Sequence, residues 1–258
     1  DAAAMPGFTT AQVAALTGSQ FGALSSTQIA AMDNADVAAF TAGHIAALTS
    51  IQADGLTAGQ IGAMTSVQFA AMTTTTLASL AATQIAAIEA LDFGTLSGAQ
   101  IAAITTDQIS SLTAGQIAAL TAAQIPSLTA GQIANLTNTQ IAAIEVNDLA
   151  LFDATQIGAL TATQAPALTT AQVQGLTTAQ FQALETADLA AFTAGQIAAI
   201  QNEDIAVLSG AQIGGLTAAQ VQALTVTQIV TMTGAQLAAI ETADFATMGT
   251  AQIVAIQA

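Results

Sequence analysis

Every eighth residue is a large apolar one, from Phe8 through Leu16, Leu24, Met32, Phe40 and Leu48 to Met248 and Ile256, without one insertion or deletion. Five residues after each comes a second apolar position, Val13, Phe21, Ile29, Val37, Ile45 and onward to Ile253, interrupted only by the small Ala53 and Ala165. Thirty-one octads thus run from Phe8 to Ala255, and Asp1 and Met5 already sit in register at a cap and an apolar position. The residue after the first apolar position is nearly always Thr or Ser, and the residue before the second is Gln in 23 of the 31 octads. The consensus is Leu-Thr-x-x-Gln-Ile-x-Ala. Burying two large side chains does not offset the conformational entropy of ordering a whole octad. Each octad must therefore share the apolar faces of its neighbours, and a stacked solenoid over residues 1–258 is expected.

Thr followed three residues later by Gln is a capping-box pattern, so each octad carries its own helix-start signal. Ala, Gln, Leu and Ile suit a short helical run, whereas Ala and Gln are poor or indifferent strand formers. One continuous helix does not fit, because apolar spacings of five and three imply about four residues per turn rather than 3.6. The expected fold class is all-α, a tight α-solenoid of capped helical segments of one to two turns, one per octad. A β-solenoid is the alternative; its weakness is that two positions five apart face opposite sides of a regular strand. All three prolines, Pro6, Pro126 and Pro166, follow the second apolar residue, where proline would break an α-helix. The reading that accommodates them is a segment barely one turn long with 3₁₀ character, or a bend already present there. Glycines keep to the variable positions and one cap, Gly249.

The acidic residues gather in a few octads, where cap and Gln position change together. Asp33 pairs with Asp36, Glu89 with Asp92, Glu145 with Asp148, Glu185 with Asp188, and Glu241 with Asp244, and a related octad holds Gln201, Glu203 and Asp204. The first three pairs and Asp204 recur at every seventh octad, as do Glu185 and Glu241, so seven octads form a longer repeat. If that period equals two superhelical turns of three and a half octads, the acidic octads align as stripes. Carboxylates three apart at a helix start are compatible with the helix dipole and with cap bonding, which is the structural reading. The functional reading makes these ten paired carboxylates candidate calcium ligands, although the dense spacing of a dedicated calcium loop is absent. Glu is a poor cap, so the acidic octads are expected to be capped differently from the Thr ones.

No catalytic constellation emerges, and an enzyme is not expected. His44, the only imidazole, replaces Gln in one octad and reads as a tolerated variant of that position. There is no Cys, and the hydroxyls have no base at fixed spacing. A net charge of -16 without a single Lys or Arg argues against nucleic acid as a partner, since nothing could neutralise a phosphate. Thr and Gln recur throughout the octads, so no run is apolar enough to span a membrane.

The stretch Leu112 to Leu136, LTAGQIAALTAAQIPSLTAGQIANL, resembles the Leu-Thr-x-x-Gln-Ile-x-Ala-Leu tandem arrays of very large secreted proteobacterial proteins of haem-utilisation, haemagglutinin or adhesion type. The resemblance covers the whole array and brings no active-site residue or resident cofactor. It implies export to the cell surface or medium and a role as stalk, fibre or adhesive spacer. Absence of Lys, Arg and Cys suits that setting, since it removes trypsin-type cleavage sites and any redox requirement. The array ends partway through an octad, at Ile256-Gln257-Ala258. Open ends of this kind predict self-association head to tail, and neutral Thr and Gln faces allow lateral packing. The leading expectation is a structural rod or filament subunit; the second is a passive adhesin holding calcium, glycans or another surface.

Overall fold

A computed structural model describes residues 2–257; the expected cap at Asp1 and the terminal Ala258 lie outside the described residues. The chain forms two compact units, Asp1–Asn135 and Leu136–Ala258, and each is an α-solenoid. Among the described residues there is no strand, and helical segments of three to seven residues follow one another, one per octad. The β-solenoid alternative is thereby removed.

In the standard octads each break has the same cause. In the octad starting at Leu112, the Thr113 N–H donates to Gln116 Oε1 at 2.8 Å and the Gln116 N–H donates to Thr113 Oγ1 at 3.1 Å. Both halves of the capping box are therefore made, and the helix Ala114–Ala118 begins where the sequence pattern places it. After one turn or a little more, the first and second positions of the next octad take extended dihedrals, as at Leu224 (φ -56°, ψ 128°) and Thr225 (φ -73°, ψ 157°). These lie near polyproline II values. No described residue has a positive φ and no peptide bond among them is cis, so the chain turns without glycine-specific geometry.

The three 3₁₀ segments are Ala2–Gly7, Ile125–Ser127 and Ala165–Ala167, and they contain the three prolines. Around Pro126 the turn survives on bonds to the third residue back: Ser127 N–H to Gln124 O at 2.9 Å and Leu128 N–H to Ile125 O at 3.1 Å. Pro126 lacks an N–H, so an α-helical bond is lost there and the tighter turn replaces it. The cap bond from Thr121 N–H to Gln124 Oε1 is kept at 2.8 Å.

Within each unit the coil completes a turn in three and a half octads, so that Gln116 bonds a carbonyl 28 residues earlier on the turn below. The helix Asn202–Val207 packs between Thr178–Ala183 and Val226–Thr231, each three helices away in sequence. Both apolar positions point inward: Ile101, Ile117, Val173 and Ile197 at the second position, and Leu112, Leu168 and Ile200 at the first, are all buried. Two turns make seven octads, which is the longer repeat read in the sequence.

Half-octad stagger between turns sets which variable positions meet. A Cβ added to Gly55 would lie 2.6 Å from Ser26 Cβ and 2.7 Å from its carbonyl oxygen. Cβ atoms at Gly175 and Gly215 would collide with the Val146 and Thr186 side chains. In each case the partner lies one turn and a single position earlier, at the third place of its octad. At Gly55, Gly175 and Gly215 the eighth place is thus small where a side chain at the third place of the preceding turn comes close. Gly175→Ala is expected to destabilise the chain by about 1–3 kcal/mol through overpacking. The same substitution in a Val146→Ala background should cost much less; equal losses in both backgrounds, in urea titrations, would refute the pairing.

Candidate functional site

The glutamines that cap the helices are also the bridges between turns. Gln116 Nε2 donates to the carbonyls of Ile85 and Ile88, both at 2.8 Å, 31 and 28 residues earlier. Gln60, Gln100, Gln172, Gln212, Gln228 and Gln252 repeat the same two bonds. Those carbonyls belong to the C-terminal end of a helix on the preceding turn, where carbonyl oxygens lack a full intrahelical complement. One side-chain amide thus serves two helix ends. Its oxygen takes the cap N–H of its own helix, and its nitrogen supplies the helix end below. In the first turn, Gln12 and Gln20 are exposed and make only the cap bonds.

This second role was not read from the sequence, which assigned Gln to the capping box alone. The signal was present in the replacements: all eight octads without Gln at this position carry Asp, His or Thr, never an apolar residue. Thr76 donates through Oγ1 to Leu48 O at 3.0 Å. His44 reproduces the cap bond and one of the two bridge bonds. Its Nδ1 accepts the Thr41 N–H at 3.3 Å, which leaves Nε2 as the donor to Leu16 O at 2.8 Å, and the ring stacks on Phe21 with centroids 4.7 Å apart. The reading of His44 as a glutamine substitute holds.

The acidic octads depart from the pattern. The carboxylates at the cap, Asp33, Glu89, Glu145, Glu185 and Glu241, make no side-chain cap bond. Asp153 does, accepting the Gln156 N–H at 2.8 Å. Glutamate is too long to fold back on its own third helical N–H, as expected for a poor cap; Asp33 lacks the bond as well. At the fifth position Asp36, Asp92, Asp148, Asp188 and Asp204 are buried, while Asp244 is half-buried. Ser66 Oγ donates to Asp92 Oδ1 at 2.5 Å. The second carboxyl oxygens of Asp36, Asp188 and Asp204 are buried without a hydrogen-bond partner.

Helix-start geometry was expected to favour ionised carboxylates here. Instead burial, and then the neighbouring carboxylate, raise Asp36 (beside Asp33) and Asp148 (beside Glu145) above the ordinary carboxylate range. The same causes push Asp188, beside Glu185, and Asp204, beside Glu203, up to about 6. Desolvation outweighs the dipole because a helix of one turn has little dipole to offer. The ten candidate calcium ligands stand as separate pairs, and among the described residues no three acidic or histidine side chains gather in one place. The described residues enclose no cavity, and none of their helices is long and apolar enough to cross a membrane.

A solenoid made of octads in which one amide bridges successive turns defines a class of repeat protein whose regularity is its chemistry. The chain belongs to the ALTTAQ repeat family, which it matches at residues 29–66, 85–122, 141–178 and 197–234, segments that begin about 56 residues apart and together exceed half its length. The family motif stands unaltered at Ala167 to Gln172. No curated protein matches the chain.

Two expectations follow from this geometry. Gln116→Ala should cost about 3 kcal/mol, since it strips one cap bond and both bonds to the turn below, leaving the buried Ile88 carbonyl without its donor. Thr113→Ala should cost about 1 kcal/mol, the worth of a cap hydroxyl; equal losses on urea denaturation would mean that glutamine acts only as a cap. Glu185→Thr adds a cap hydroxyl and removes the charge beside Asp188. It should stabilise the protein at pH 7 by about 1 kcal/mol; a drop in stability would contradict the reading of Glu185 as an uncapped helix start.

Proposed function

We propose that this chain is a structural spacer, exported to the cell surface or medium, whose task is to extend a stiff and chemically quiet surface rather than to transform or hold a small molecule. The observation that carries this reading is the commitment of the recurring polar groups to the fold itself. Hydroxyl, amide oxygen and amide nitrogen of each standard octad are taken up by capping and by the bridge between turns. What remains outside is mostly Ala, Gly, Ser and Thr at the variable positions. Octads repeat with no insertion that would build a loop, and loops are where binding and catalytic residues concentrate. The absence of Lys and Arg from the sequence supports an extracellular setting, where trypsin-like proteases would otherwise cleave. Self-association into filaments is part of the same proposal, since one regular face repeated along the solenoid can meet the same face of a second copy.

Negative-stain microscopy and small-angle scattering on the purified chain, without added ligand, test the proposal. Elongated particles, or uniform thin filaments whose length grows with concentration, are expected. A compact scattering profile would overturn the spacer role, and elongated particles that stay monomeric at high concentration would overturn the filament role alone.

A further inference from the structure

The glutamine ladder is interrupted at Asp36, Asp92, Asp148, Asp188, Asp204 and Asp244 by a side chain of the opposite hydrogen-bonding sense. At a standard octad the fifth residue presents an N–H₂ donor to two carbonyls of the preceding turn. At Asp36, Asp188 and Asp204 it presents a carboxyl oxygen, buried and without a partner. The ladder's register sets the carbonyls of Val173 and Leu176 opposite Asp204, those of Ile157 and Leu160 opposite Asp188, and those of Met5 and Phe8 opposite Asp36. Two lone-pair-bearing groups that face each other without a proton between them are destabilising in a dry setting.

We propose that these aspartates are pH-operated seams in the coil: neutral, each carboxyl donates its proton to the preceding turn in glutamine's place, and ionised, it loses that bridge and loosens the stack at its own octad.

The surroundings leave the proton as the only agent that can repair the mismatch. Asp204 sits on Asn202–Val207, and neither neighbouring helix, Thr178–Ala183 or Val226–Thr231, carries a charged residue; its one charged neighbour is Glu203 on the same helix. Asp36, on Asn34–Ala38, lies between Thr10–Ala14 and Ala58–Gly62, also uncharged, with Asp33 at its own cap. Asp188, on Thr186–Ala190, packs against the uncharged Gly210–Gly214 and has Glu185 at its cap; on the preceding turn the Asp153 carboxylate is committed to the Gln156 N–H. The chain has no Lys or Arg to pair with any of them. The backbone at Asp33 and at Glu185 acts in the opposite direction on Asp36 and Asp188, but less than burial and the neighbouring carboxylate do.

The sign follows from linkage. A carboxyl raised in the folded state makes folding favour the protonated form, so local stability is greatest below the ordinary value of 3.8 and is lost as pH rises through about 6. Between pH 5 and 7.5 that difference amounts to about a tenfold change in the local opening equilibrium per seam. Hydrogen exchange on the full chain, corrected for the intrinsic pH dependence of amide exchange, reads it directly. Protection of the amides in Asn202–Val207 is expected to be about tenfold higher at pH 5 than at pH 7.5, and Asp204→Gln, which restores the ladder, should bring that ratio to about one. A wild-type ratio of one, or a ratio that persists in Asp204→Gln, would overturn the proposal. Should that variant not fold, a ¹³C carboxyl titration of the wild type decides: midpoints near 6 for Asp188 and Asp204 support the seam, and midpoints near 3.8 reject it.

Discussion

A single side-chain amide placed between two helix ends is what ties most of these short helices into a stack. An isolated one-turn helix is unstable in water because nucleation fixes several residues for almost no internal hydrogen bonding, and its unsatisfied groups outnumber its satisfied ones. In this coil the shortage at each end is met by the same residue type: Gln116 takes the Thr113 N–H and feeds the carbonyls of Ile85 and Ile88. Cooperativity is thereby moved from along the helix to across the stack. The apolar positions supply the driving force, and the amide decides the register in which it is realised.

Much of the fold was legible because local and global demands coincide in the octad. The capping box at each Thr, the inward pair of apolar positions and the impossibility of a continuous helix could all be read from spacing; the prolines left open 3₁₀ character or a bend, and the structure tightens only their own segments to 3₁₀ geometry. The recurrence of acidic octads at every seventh place contained the coil's pitch, since it equals two turns of three and a half octads. What could not be read was which residues meet across turns. Gln116 and Ile85 are 31 residues apart, and no local pattern shows that an amide used as a cap has its nitrogen free for another purpose. The restriction of its replacements to Asp, His and Thr was the available clue.

The acidic octads show how far the position tolerates change. His44 keeps donor and acceptor in one ring and retains the cap bond and one of the two bridge bonds. Thr76 keeps one bridge bond, and Asp92 recruits Ser66. Asp204 keeps neither and relies on its state of ionisation. A ladder that is otherwise neutral and insensitive to conditions thus carries a few rungs with chemistry of their own, and Asp36, Asp92, Asp148 and Asp204 among them recur at the seven-octad spacing of the longer repeat.

The half-octad stagger bears on how an array like this can change its length. Removing one octad restores the capping pattern immediately and keeps glutamine opposite carbonyls, because the backbone of every octad is interchangeable. It does not keep the side-chain partners whose turn spans the cut: a deletion between Val146 and Gly175 would separate that pair, and one between Thr186 and Gly215 would separate the other. Exchange of whole two-turn blocks, by contrast, hands every residue a partner drawn from the same position of the pattern. Genes for such coils are therefore expected to grow and shrink by blocks of seven octads, with the bulk of a few variable side chains recording where the cuts have been.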